Sequence, residues 1–184
     1  NLLKADSMTV SDGDTARAEL STAQYKELSD SSLIANTLHF TISDSPANID
    51  GATLTTTDYT AVQSVTAVVE SDDKDLTGYT NLAARVDSID LDSNTDVTVD
   101  VDQAGLVTGT GTYDVSDTAS EIEAEAEKTN AGVLDNADDV SADTTVTLTV
   151  AEYKALDDAD TDLLTNYSIE DTGAAINAEA ALTG

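Results

Sequence analysis

Tyr113-Asp114-Val115-Ser116-Asp117-Thr118-Ala119-Ser120-Glu121-Ile122 decides how this chain is read. Alternation places Tyr113 and Val115 on one face of a strand. Thr118-x-x-Glu121 then has capping-box spacing: a hydroxyl accepts a free N–H of a helix's first turn, and the acid three residues on reaches back. Asp117, just ahead, puts negative charge at the positive end of that helix. The stretch predicts a strand running into a capped helix. Ala- and Glu-rich residues 121–134 should continue it to about residues 130–132.

Two more stretches repeat the pattern: Phe40-Thr41-Ile42-Ser43-Asp44-Ser45-Pro46-Ala47-Asn48-Ile49 and Tyr167-Ser168-Ile169-Glu170-Asp171-Thr172-Gly173-Ala174-Ala175-Ile176. Aromatic, apolar, Asp, Ser/Thr and Ile recur in register without a gap. Pro46 supports the capped reading, because a missing N–H costs nothing at the first helical position. A second pattern lies upstream. Leu20-Ser21-Thr22-Ala23-Gln24-Tyr25-Lys26-Glu27-Leu28 matches Leu148-Thr149-Val150-Ala151-Glu152-Tyr153-Lys154-Ala155-Leu156, with a further copy at residues 54–62. A weaker copy at residues 99–107 has Ala104 in the Tyr place. Each reads as a strand end, a cap and a short helix whose Tyr and Leu share a face. A looser pattern, a short alternating strand ending in Asp, opens the unit at residues 7–12 and 88–92, and less clearly at 138–143.

The expected fold is α+β, with short strands and short capped helices in about three related units. These are residues 1–49, 86–134 and 135–184, with 50–85 an irregular segment or decayed unit in which residues 62–69 read as helix or strand. The order is strand, turn, strand, short helix, strand, longer helix. Units this small bury their apolar faces only against neighbours. The recurring Tyr25, Tyr59, Tyr113, Tyr153 and Tyr167 therefore read as packing residues, ring inward and hydroxyl at the rim. The chain opens on an element that follows a long helix and closes soon after one begins, so its ends are complementary in repeat order.

The pattern Tyr-x-Val-x-Asp-Thr-Ala-x-x-Ile, with an upstream Leu-Thr-x-x-x-Tyr, resembles tandem repeats of large secreted bacterial and cyanobacterial surface proteins of S-layer-like or haemolysin type. The resemblance covers about three quarters of the chain. It implies an extracellular or cell-surface, non-enzymatic, calcium-associated protein. The Gly-Gly-x-Gly-x-Asp calcium repeats that often accompany such proteins are absent, and no metal ligand carries over residue by residue.

Composition narrows the function classes. The 184 residues are 40% hydrophobic but only 4% aromatic, without Trp or Cys, so the core is aliphatic and there is no disulfide or thiolate site. With 37 acidic against 7 basic residues the net charge is -30, which excludes binding to a nucleic-acid backbone and favours a salty or calcium-rich medium. No apolar run approaches the ~20 residues of a membrane helix. Calcium needs six to eight oxygens, so clustered acids are the places to look. The candidates are Asp12 and Asp14 in one turn, Asp90 and Asp92, and Asp135, Asp138 and Asp139, with Asp143 nearby. Asp90-x-Asp92-x-Asn94 starts like an EF-hand loop, but Thr95 and Val101 stand where Gly and Glu belong. The bland reading of each cluster is a solvated loop or strand face. His39, the one histidine, sits opposite Leu38, Phe40 and Ile42 on a strand, with nothing to make it a general base.

These features predict a structural protein, a subunit or segment of a surface filament or S-layer-like lattice that assembles head to tail. The alternative is an adhesin or phage surface-fibre module. A hydrolase built on paired acids is the weakest reading, since the chain lacks an aromatic sugar platform.

Overall fold

The computed structural model describes residues 18–30, 40–52, 62–70, 75–157 and 166–180. The expected opening strand at residues 7–12, Asp12, Asp14, His39 and Tyr59 lie outside them. The fold is α+β, 35% helical and 33% strand, in small parallel sheets.

The unit is a parallel strand–helix–strand followed by a second helix. In the first copy β1 (Ala18–Leu20) leads into α1 (Thr22–Asp30), then β2 (Phe40–Asp44) and α2 (Pro46–Asp50). In the second, β4 (Ser88–Leu91) opens, followed by β5 (Asp96–Val99), α3 (Val101–Ala104), β6 (Val107–Gly109), β7 (Thr112–Asp117) and α4 (Ala119–Ala126). In the third, β8 (Val140–Ala142) opens, followed by β9 (Val146–Leu148), α5 (Val150–Asp157), β10 (Tyr167–Ile169) and α6 (Gly173–Ala180). Strands and helices alternate as expected where they are described, with β6 added, but the second helix is the longer one only in the second copy: α2 is shorter than α1, and α6 matches α5. Within each copy the strand before the first helix pairs in parallel with the strand before the second: β1 with β2, β5 with β7, β9 with β10. Parallel neighbours need a crossover of a dozen residues or more, which the intervening helix supplies.

The chain forms two compact bodies, each drawn from interleaved stretches. The first holds the sheet β1-β2-β3-β4-β6, where β3 is Val62–Val69. Residues 62–69 are thus a strand of the sheet, whose register with β2 shifts by one residue at Gln63. Ala18 pairs with Phe40, Ile42 with Val65, Thr66 with Ser88 and Ile89 with Val107, so each strand follows its neighbour at a similar step. Inward positions are apolar: Phe40, Ile42, Val65, Ala67, Val69, Ile89 and Leu91 are buried. Tyr25 of α1 meets Phe40 edge-on at 6.0 Å, a geometry the ring quadrupoles favour. Outward positions carry hydroxyls, and Thr66 and Ser88 stack 3.2 Å apart. Ser45 caps α2 and Pro46 takes its first position. Arg85 donates to the Ile49 carbonyl at 3.0 Å and to that of Asp50, placing a cation at the negative end of α2.

The second body contains the sheets β5-β7-β8 and β9-β10. Val115 and Ile122 are fully buried beneath the strand and helix packing of the second copy. Here α4 ends earlier than the sequence suggests, at Ala126, and a 3-10 segment, Thr129–Asn136, follows. Two groups impose the break. Ala131 (φ 52°) and Gly132 (φ 59°) take left-handed conformations that an α-helix excludes. Glu125, buried, turns back to accept the Val133 N–H at 3.0 Å and to pair with Lys128. A Cβ on Gly132 would lie 1.9 Å from Glu125 Oε1, so any other residue there would displace that carboxylate and strain the backbone. The Tyr113 hydroxyl completes the loop by donating to the Val133 carbonyl at 2.9 Å.

Candidate functional site

The recurring aspartate is the most chemically distinctive group of the repeat, and two of its backbone contacts recur in all three copies. Asp44 accepts the N–H of Thr22, the first residue of α1, at 2.9 Å. Asp117 accepts that of Val101, the first of α3, at 3.0 Å, and Asp171 that of Val150, the first of α5, at 3.1 Å. In each case the other oxygen accepts the N–H of the following Ser or Thr, at 2.9, 2.7 and 2.6 Å. One carboxylate thus joins the start of one helix to the cap of the next across a parallel strand pair. Both helix starts have orphan N–H groups, and both favour negative charge.

The caps divide into two kinds. Ahead of the first helix of each copy stands a full capping box: Ser21 with Gln24, Asp100 with Gln103, Thr149 with Glu152, each bonded both ways. Ahead of the second helix the cap is one-sided. Ser45, Thr118 and Thr172 accept from Asn48, Glu121 and Ala175. The reciprocal arm expected of Glu121 is replaced by Asp117, which already holds the Thr118 N–H. The first kind was readable from Gln24, Gln103 and Glu152 at the third position. The clamp across strands was not, because its partners lie 16–22 residues apart.

Two further carboxylates tie the second copy to the third. Asp143, beyond β8, accepts the N–H of Ala119, first residue of α4, at 2.9 Å. Glu123 accepts the N–H of Thr147 on β9 at 2.7 Å.

Several ionisations move with these contacts. Burial pushes the Asp44 carboxyl up, but hydrogen bonds from Asn48, Thr22 and Ser45 outweigh it and leave the pKa below its ordinary value. Asp100 is raised, chiefly by burial, with the Gln103 N–H opposing and the charges of Asp117 and Asp102 adding. Asp114 is raised by burial and then by the charges of Asp96, Asp139 and Asp138. Those four acids form a repelling group that the sequence did not suggest, because sheet register brings them together.

Of the calcium candidates, Asp90 lies exposed on β4 and Asp92 just beyond it. Asp135 lies in the 3-10 segment, one residue before its end, Asp138 is exposed, and Asp139 accepts the Val140 N–H at 2.9 Å. Among the described residues no three His, Asp or Glu are grouped to hold a metal ion. No helix of the described residues is long and apolar enough to cross a membrane. A surface groove of about 250 Å³ runs along Val62–Val65 and Ala84–Asp87, but its one cation, Arg85, is engaged with α2, and Asp87 accepts the Val65 N–H at 2.8 Å.

The three copies differ most in what covers them. Phe40, Ile42 and Ile49 are 0%, 1% and 0% exposed, and Tyr113, Val115 and Ile122 are 9%, 0% and 0%. The same positions in the third copy, Tyr167, Ile169 and Ile176, are 40%, 37% and 41% exposed. β2 has β3 beside it and β7 has β8, whereas among the described residues β10 pairs with β9 alone. Tyr153 and Tyr167, which repeat the Tyr25–Phe40 pair, stack at 5.2 Å on this open side.

The chain matches no protein-family model, and comparison with curated proteins and with solved structures finds no match.

Proposed function

We propose that this chain is a non-enzymatic structural building block, a subunit or segment of an extracellular surface filament or S-layer-like lattice that assembles head to tail. One observation carries the reading. Asp44, Asp117 and Asp171, the aspartates of the three repeat motifs, are each bonded to backbone N–H groups of two helix starts, so the chemistry that the repeat preserves is the chemistry of stacking one strand–helix step on another. Stacked repeats bury their faces against one another, and a contact of this kind between chains need not close. The charge of -30 fits a salty or calcium-rich exterior, where screening or cation binding offsets self-repulsion.

Electron microscopy and light scattering of concentrated protein, with salt and calcium, test the proposal. Filaments or sheets are the expected result. A strict monomer under all these conditions overturns it. Chelator in low salt should lower the melting temperature, and an unchanged melt would remove the role assigned to cations.

A further inference from the structure

We propose that Tyr153 and Tyr167 form a site of oxidative modification. A one-electron oxidant of the peroxidase–peroxide class couples the two phenols into dityrosine, a covalent staple between α5 and β10. The inference is independent of the assembly reading above.

Geometry is the first observation. The two rings stack with centroids 5.2 Å apart and planes 27° from parallel. The equivalent pair of the first copy, Tyr25 and Phe40, meets edge-on, is buried and has only one phenol. In the second copy Ala104 takes the place of the first ring, so no pair exists. Of the three copies only the third sets two phenols face to face, and there they are reachable. Tyr167 is 40% exposed and Tyr153 half-buried. A short swing of either side chain joins ring carbon to ring carbon, and at the surface that swing displaces water instead of core.

The second observation is that both backbones are already held. β10 pairs with β9 from Tyr167 to Ile169. Just beyond it, Asp171 accepts the N–H of Val150 at 3.1 Å, at the start of α5 and close to one turn before Tyr153. Tyr153 donates its own N–H to the Thr149 carbonyl at 3.0 Å. Holding reactive partners side by side turns a bimolecular coupling into an intramolecular one. At low salt the charge of -30 acts in the same direction, by keeping separate molecules apart.

The third is what else an oxidant meets. The chain has no Cys and no Trp, so no thiol or indole competes, and no disulfide supplies a staple of its own. The step balances. Each phenol gives up one electron and its hydroxyl proton, leaving a phenoxyl radical with spin on the ring carbons beside the oxygen. One such carbon from each ring forms the new C–C bond. Each ring regains aromaticity by moving the displaced hydrogen from that carbon to its oxygen. Hydrogen peroxide takes up both electrons and both protons and leaves as two waters, so the chain loses two hydrogen atoms. A cross-link restricts the unfolded chain more than the folded one, so the stapled form should melt higher.

The test treats the dilute full chain, in low salt, with peroxidase and hydrogen peroxide. The expected product is a monomer lighter by two hydrogen atoms, with dityrosine fluorescence and a raised melting temperature. Digestion at Lys154, which lies between the two tyrosines, should leave their peptides joined. Tyr153→Phe and Tyr167→Phe should each lower the yield of this product by roughly tenfold or more, while Tyr79→Phe leaves it unchanged. Phe at position 167 repeats Phe40 of the first copy, so that variant tests the phenol and not the fold. Coupling only between molecules, a cross-link that maps to other tyrosines, or oxidation without coupling overturns the site. A stapled monomer that melts like the untreated chain overturns the stabilising role.

Discussion

The first and third copies of the motif share sequence and local geometry but differ in surroundings. Both have a strand, a carboxylate clamp, a hydroxyl cap and a helix. In the first copy the aromatic and both aliphatic markers are buried, and in the third all three are exposed. The local motif therefore folds without its cover. The clamp and cap define the unit, and the apolar positions wait on whichever neighbour arrives. Their conservation of type across the copies is a statement about stacking, made even where the stacked partner is not among the described residues.

The sharpest way to break this comparison is to truncate equivalent side chains. Ile42→Ala removes a fully buried side chain and should cost about 2–5 kcal/mol. Ile169→Ala should cost the dilute monomer less than about 1 kcal/mol, as exposed sites do. Urea denaturation of both measures the difference. Equal losses would mean that the third copy is covered in solution.

The clamps give the next effect. Asp44→Ala strips acceptors from Thr22, Ser45 and Asn48 and should cost roughly 2–3 kcal/mol at neutral pH. Asp171→Ala, which strips two backbone donors, should cost less. Because Asp44 has a folded pKa below its ordinary 3.8, its contribution is present above that value and disappears as the pH falls through the folded pKa. The gap between wild type and Asp44→Asn, followed by thermal melts from pH 7 downward, should therefore close below about pH 3.8. A gap that persists into strong acid would assign the stability to packing instead of charge.

Thr118→Ala in the second copy should remove a cap for about 1 kcal/mol. An unmoved melting temperature would leave that helix start to Asp117 and Asp143, which hold the N–H groups of Thr118 and Ala119. The smallest effect has the opposite sign. Asp114 has a raised pKa, so ionising it costs stability, and its favourable protonated form is lost as the pH rises through the folded pKa. Asp114→Asn should then raise stability at pH 7, by less than about 1 kcal/mol since the group is largely solvated. The gain should vanish below its ordinary value of 3.8. A loss at pH 7 would mean that Asp114 is held by attraction.

What was legible in the sequence was local. Ser45-Pro46 and Thr118 named two helix starts correctly because a cap is settled within four residues. The order of elements and the α+β class followed from alternation and caps together. The parallel pairing escaped, since nothing near Asp117 announces a partner at Val101. Residues 62–69 were ambiguous by periodicity, and their place between β2 and β4 resolved them as strand. The length of α4 was overread because Ala and Glu favour helix, while the bond from Val133 to Glu125 that bends the chain depends on a fold-back eight residues long. The carboxylates singled out for calcium were chosen by sequence density. Sheet register sets two of them, Asp138 and Asp139, beside Asp114 and Asp96, which sequence density did not single out.

Pro46, the single proline, has a consequence for how such a chain can be edited. It stands where Ala119 and Gly173 stand in the other copies, and it has no N–H to place. The junction after α4 is keyed, because Asp143 must arrive to meet Ala119. At α2 that particular donor is absent, so a strand–helix step spliced in or out there leaves no N–H unmet at the first helical position, although Asn81 and Arg85 must still meet Asp50 and Ile49. The same surgery after α4 would strand the Ala119 N–H. Duplication and deletion of repeats should therefore be tolerated unequally along this chain, with the proline marking the permissive seam.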